Sequence, residues 1–252
     1  MRITLTVLTS LMLAGCSQQP ASIDGNLIRF NDPDNAFGER APVIREVLES
    51  TLQRTIKALP ITGVTITVSP NPKATIPGYG VGGYTPNAHT VNIALDPKFV
   101  DWGRLLTNHL PQTLAHELHH SARWREPGYG STLFEAMISE GLADRFAVEL
   151  LGIPVTPWSD AFPKEQTARF LAVAQPKFDA KPYSPDDHAR WFFGSDASMP
   201  KWTGYTLGFR LVDDYIEHHP GTTAASLVHM PALAFRPTAP LRPQEQSAIR
   251  SE

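Results

Sequence analysis

Five consecutive residues, His116-Glu117-Leu118-His119-His120, have types and spacing suited to metal-assisted hydrolysis. On a helix, His116 and His120 sit one turn apart on the same face, with Cβ atoms roughly 5–6 Å apart. Two imidazoles so placed can converge on one metal ion, because Zn–N bonds are only about 2.0–2.1 Å. Glu117 lies one step round the helix. From there it can take a proton from a metal-activated water without being a ligand itself. Nine histidines in 252 residues also make such a pattern accessible to chance, so the surroundings must decide.

A His₂Glu zinc site needs a carboxylate delivered from another element. The run Ser139-Glu140-Gly141-Leu142-Ala143-Asp144 offers one. It falls in a predicted helix from Thr132 to Leu151, with Thr132 and Glu135 at capping-box spacing and Gly152 as the stop. Glu140 and Asp144 are one turn apart on one face. Ala136, Ala143 and Ala147 lie near that face and would let the helix approach the first. Glu140 is therefore the expected third ligand. Asp144 is the expected acceptor for the second ring N–H of a ligating histidine, which usually goes to a carboxylate. Glu135 competes for the ligand role but suits the cap. A solvated helix face is the plainer alternative for Glu140 and Asp144, and Arg145 and Glu149 show that such a face exists. His109, His119 and His188 are expected at the surface, and His89 in a turn.

The sequence His-Glu-Leu-His-His followed by Ser-Glu-Gly-Leu-Ala-Asp resembles the bacterial family of predicted zinc-dependent proteases of otherwise undefined function, in the gluzincin group. The resemblance is sharpest from Thr113 to Glu149. It implies His116, His120 and Glu140 as ligands of Zn2+ and Glu117 as general base.

The elements that must position these groups point to an α+β, zincin-like fold. A small N-terminal sheet would precede the active-site helix and a mainly helical C-terminal part. Pro42 to Leu59 has helical periodicity, and Val64–Val68 and Thr90–Leu95 alternate as strands. Between them, Gly78 to Tyr84 reads as a Gly-rich strand, with a turn over Pro86–His89. An open edge carrying Gly82, Gly83 and Tyr84 is suited to binding an extended peptide by strand addition; a plain hairpin is the alternative. Phe99 to Leu110 holds a short helix, and Pro111 is suited to start the active-site helix. Helices are expected over Pro163–Val173, Pro185–Phe193 and Thr203–His218. Gly208 inside the last one points to close packing against another element. Tyr205 is the candidate donor to a developing oxyanion. A structural tyrosine is the alternative there, with Tyr183 and His219 as further candidates.

The front of the chain carries a different signal. Arg2 and the apolar run Ile3–Leu13 form a signal-peptide pattern, too short to span a bilayer permanently. Leu13-Ala14-Gly15-Cys16 resembles the lipobox of bacterial lipoproteins, which makes Cys16, the single cysteine, the expected lipidation site. Ser17 after it favours the outer membrane by the same resemblance. Residues 1–15 are thus expected to be a signal peptide, 16–40 a tether, 41–235 the metallopeptidase domain and 236–252 a loose tail. Net charge is −3 and 42% of residues are apolar. That suits an ordinary globular chain and offers no basic excess for nucleic acid. The expected function is a zinc metallopeptidase of the cell envelope, acting on a peptide or protein and held to the membrane by a lipid anchor. A non-catalytic zinc-binding lipoprotein that binds or assembles partners is the alternative, and hydrolysis of a non-peptide amide is a third.

Overall fold

In Val64-Thr65-Ile66-Thr67-Val68 every second residue is apolar, and the same holds for Val91, Ile93 and Leu95. In the computed structural model, which describes residues 22–237 apart from Asp196 and Ser198, both runs are strands of one sheet. The strands are β1 (Ser22–Ile23), β2 (Asn26–Phe30), β3 (Thr65–Pro70), β4 (Val81–Asn87) and β5 (Thr90–Leu95). Their order is β1-β2-β3-β5-β4. The three central strands run parallel, and β1 and β4 pair antiparallel at the two edges. Ile66 pairs with Val91 and Val68 with Ile93, which puts their side chains on one face; all four are fully buried.

Residues 22–30 correct the expectation of an irregular tether. Leu27–Phe30 pairs in parallel with Thr65–Val68. Asn26 locks the pairing, since its Nδ2 donates to Ile61 O and its Oδ1 accepts from Val64 N–H. Phe37 is also buried, so the fold begins well before residue 41. A parallel strand finds its partner only across a long crossover, and this one leaves little local pattern. Cys16, the expected signal segment and the chain beyond Pro237 lie outside the described residues. Among the described residues, no helix is long and apolar enough to cross a membrane.

Helix α1 (Ala41–Ala58) makes the β2-to-β3 crossover and lies against the first strands. A short helix, α2 (Trp102–Arg104), passes through a π turn at Leu105–His109 into α3 (Leu110–Arg125), the helix that carries H-E-x-x-H. Pro111 stands in the first turn of α3, as expected, although the π turn before it runs into the helix without a break. The Leu110 N–H reaches back to Leu105 O, so the turn is widened next to the residue that has no N–H to give. α3 lies against β4 and β5 and touches α1.

Helix α4 (Leu133–Leu151) covers the other side of α3. The Thr132 hydroxyl caps it by accepting the Glu135 N–H, and Gly152 ends it at φ +66°. Glu135 itself accepts from Ser131 N–H at 2.7 Å, which commits it to the cap. Two short helices follow, α5 (Thr167–Ala174) and α6 (Pro185–His188), and α6 continues as a π turn through Phe193. The last helix, α7 (Thr203–His218), crosses α4 where Gly208 meets Gly141. A Cβ on Gly208 would stand 1.9 Å from Met137 O. The close approach expected from this glycine is therefore made to α4.

Arg123 ties the end of the chain to the centre. It is only 1% exposed. Its guanidinium donates to Ser139 Oγ, Val228 O and Met230 O at 2.8–3.0 Å.

Candidate metal centre

α3 is packed between the sheet and α4, so nearly every side chain from Gln112 to Arg123 is buried. Its period brings His116 and His120 together, with their Nε2 atoms 2.9 Å apart. Helix α4 delivers Glu140 from the other side. Glu140 Oε2 lies 3.1 Å from His116 Nε2 and 3.4 Å from His120 Nε2. This oxygen is buried and accepts no hydrogen bond. Two imidazole nitrogens and one carboxylate oxygen thus converge within 4.8 Å of one another. Tetrahedral zinc with bonds of about 2.0–2.1 Å would hold its ligand atoms roughly 3.3 Å apart, so the donor set fits that ion.

The groups behind the ligands fix their orientation. Asp144 Oδ1 accepts from His116 Nδ1 at 2.7 Å, which leaves Nε2 with its lone pair facing Glu140 and His120. Asp144 is itself held by Trp158 Nε1 at 3.1 Å and Ser159 Oγ at 2.5 Å. The Tyr129 hydroxyl donates to Glu140 Oε1 at 2.6 Å and so leaves Oε2 free to face the two imidazoles. Against the penalty of burial, the neighbouring histidines hold the Glu140 carboxyl well below the usual range.

Glu117 stands beside this trio, 6% exposed. Its Oε2 accepts from Thr85 Oγ1 at 2.6 Å. Burial pushes its pKa up, opposed by His116 and His120. It reaches this position because β4 has no side chain at residue 83: a Cβ on Gly83 would stand 2.4 Å from Glu117 Oε1. Gly82 is a glycine for a different reason, since a Cβ there would meet Ala74 O at 2.1 Å. Tyr84 is 66% exposed at the same edge.

Tyr205 comes from α7 and lines the cleft beside His116 and Glu117. Its hydroxyl makes no hydrogen bond to another described residue. Burial raises its pKa well above the ordinary value, helped by Glu140, Asp144 and Glu117. The other two candidates are placed differently. His219 is exposed and stacks on Tyr215. Tyr183 bonds to His188 Nδ1 at 2.9 Å.

Three histidines expected at the surface are not there. His119 is fully buried against Phe146, because α3 has no solvent face at that position. His109 is 5% exposed, stacked on Tyr79, and its Nδ1–H donates to Tyr79 O. His188 is half-buried and lines the cleft together with Tyr129, Trp124 and Glu140. The turn expected at His89 is present. The sequence reading missed Thr85, Tyr129, Trp158, Ser159 and His188. Only Tyr129 carried a local hint, since Pro127-Gly128-Tyr129-Gly130 marks a tight turn just after α3.

A mixed sheet, a helix with H-E-x-x-H and a third candidate ligand, a carboxylate, on the next helix define a zincin-like arrangement. The chain belongs to the family described as predicted Zn-dependent protease (DUF2268), which matches residues 44–236. That span includes every residue of the centre. No curated protein matches the chain.

Proposed function

We propose that this protein is a zinc-dependent metallopeptidase that hydrolyses peptide bonds in the bacterial cell envelope. The observation that carries the reading is the convergence of His116, His120 and Glu140 beside Glu117, next to Gly83 of the edge strand β4. Zinc held by the three ligands would supply a Lewis acid for the scissile carbonyl and a water of lowered pKa. Glu117 takes the proton of the attacking water and passes it to the leaving amine. Thr85 holds the carboxylate in place, and the missing side chain at Gly83 lets substrate lie directly over it. Tyr205 donates its hydroxyl to the oxyanion as charge develops. The envelope location rests on the lipobox-like sequence before Cys16.

The test is metal analysis and peptide hydrolysis by the purified protein, with and without a chelator. Glu117→Gln should lose about 10²–10⁴-fold in kcat and keep its zinc. Glu140→Ala should lose the zinc. Full activity in Glu117→Gln, or undiminished zinc in Glu140→Ala, overturns the corresponding assignment. Zinc binding without hydrolysis of any peptide would favour a non-catalytic lipoprotein.

A further inference from the structure

The outer edge of β4 is mostly closed by the protein's own chain. Asp96 N–H donates to Gly80 O, and hydrogen-bonded pairs alternate along an antiparallel ladder. Gly82 and Tyr84 therefore turn their main-chain groups toward β5, while Val81 and Gly83 turn theirs outward. Val81 O is taken by Ile76 N–H at 2.9 Å. Beyond Gly83, Thr85 O is taken by Trp124 Nε1 at 2.8 Å. Among the described residues, Gly83 stands between them with its outward N–H and C=O unpaired. An extended peptide thus has one docking point on this edge. An antiparallel peptide makes two hydrogen bonds there to a single residue, the somewhat stronger pairing.

Gly83 also divides the cleft into two halves of about 430 Å³ each, which meet at His116, Glu117 and Tyr205. The halves differ in charge. The half toward the start of β4 is lined by Lys73 and Lys201 together with Gln112, Thr113, Trp158 and Trp202. Lys201 Nζ lies 4.4 Å from the centroid of the Trp202 ring, and Trp202 is held at φ +69°, an unfavourable conformation for a non-glycine residue. The carboxylates in this half, Asp144 and Glu117, are buried, whereas the two lysines are exposed to an incoming ligand. Both Asp144 oxygens are engaged by His116, Trp158 and Ser159, and Glu117 is held by Thr85. Among the described residues, the half toward the end of β4 has no lysine or arginine in its lining; Tyr84, Trp124, Tyr129 and His188 lie there.

We propose that the lysine-lined half recognises a carboxylate on the C-terminal side of the scissile bond, from an acidic side chain or from the end of the peptide chain. The direction follows from antiparallel pairing on Gly83, which carries the peptide from the Trp124 side toward Lys73 and Lys201. The opposite half takes apolar or aromatic side chains. This inference rests on the peptidase reading above and specifies its substrate class.

The test uses the full zinc-loaded chain and fluorogenic peptides of one neutral sequence. One arm places Asp, Asn or Lys at the first or second position after the scissile bond. A second arm ends the peptide there with a free carboxylate or an amide. A third places Asp on the N-terminal side. The expected result is a roughly tenfold higher kcat/KM for Asp or the free carboxylate than for the neutral counterpart, with Lys lowest. Which arm responds identifies the source of the carboxylate. The advantage should shrink as salt is raised, because both lysines are exposed. Lys73→Glu and Lys201→Glu should abolish the preference or shift it toward Lys. Equal rates across the set, with chelator-sensitive cleavage intact, overturn the inference and leave the metallopeptidase reading standing. A preference for Asp on the N-terminal side overturns the antiparallel placement. Absence of chelator-sensitive cleavage of every peptide overturns the peptidase reading, and the inference with it.

Discussion

At the residue scale the centre depends on which atom of each ligand is left free. His116 has two ring nitrogens and Glu140 two oxygens, and in each case a neighbour occupies one. Asp144 takes the Nδ1–H of His116, and Tyr129 takes up Glu140 Oε1. These contacts fix the His116 tautomer and the carboxylate rotamer before metal arrives, so less ordering remains to oppose binding. Substitution of such an orienting carboxylate commonly lowers metal affinity by about 10–100-fold. Asp144→Asn should weaken zinc binding by that amount while leaving all three ligands in place. Competition against a chromophoric chelator would measure it, and an unchanged dissociation constant would remove Asp144 from this role. Asp144 was legible from its place one turn beyond Glu140. Tyr129 was marked only as part of a turn, because only the fold brings it back over the helix.

At the element scale, two glycines let the helices come close enough. α4 carries Glu140 and α7 carries Tyr205, and the two cross where Gly141 and Gly208 touch. A glycine inside a helix costs about 1 kcal/mol relative to alanine, so on an exposed helix Gly208→Ala would stabilise. Here the added methyl would collide with the Met137 carbonyl. Overpacking of this kind typically costs about 1–3 kcal/mol, and relief requires α7 to move away from α4. Gly208→Ala should therefore lower the midpoint of thermal unfolding and reduce kcat by displacing Tyr205, with zinc content retained. A variant more stable than the parent would contradict this account of the crossing. The sequence carried the hint in a glycine at an otherwise helical position. It did not say which helix would fill the space, because periodicity specifies a face and not the partner.

For the whole molecule, the sheet, the α3–α4 pair and the C-terminal helix form one frame around the cleft. Arg123 reaches from α3 to the carbonyls of Val228 and Met230, so the chain after α7 is fastened to α3. The N-terminal strands are likewise part of the frame, since β2 pairs with β3 from Leu27 to Phe30. The proposed position of the molecule in the cell rests on a separate part of the chain, the lipobox-like sequence before Cys16. Lipidation at Cys16 would hold the domain at a membrane through several acyl chains, each adding about 0.8 kcal/mol per buried CH₂. Cys16→Ser should move the protein from the membrane to the soluble fraction and abolish labelling by a palmitate analogue, while purified samples keep their zinc. Unchanged fractionation and labelling would remove the anchor.

What the sequence determined by itself were the features with a local period. Two histidines four apart converge once the segment is helical, and Glu140 and Asp144 share a face for the same reason. The alternation of Val91, Ile93 and Leu95 likewise marks a strand and its buried side. Tertiary structure alone decided the rest. It paired Leu27–Phe30 with a strand some forty residues away, buried His119 by packing a helix on both sides, and brought Thr85, Tyr129 and His188 to the cleft. It also left Gly83 as the open point of an edge otherwise closed by Ile76 and Trp124. These depend on contacts between residues far apart in the chain, and such contacts leave no period in the sequence to read.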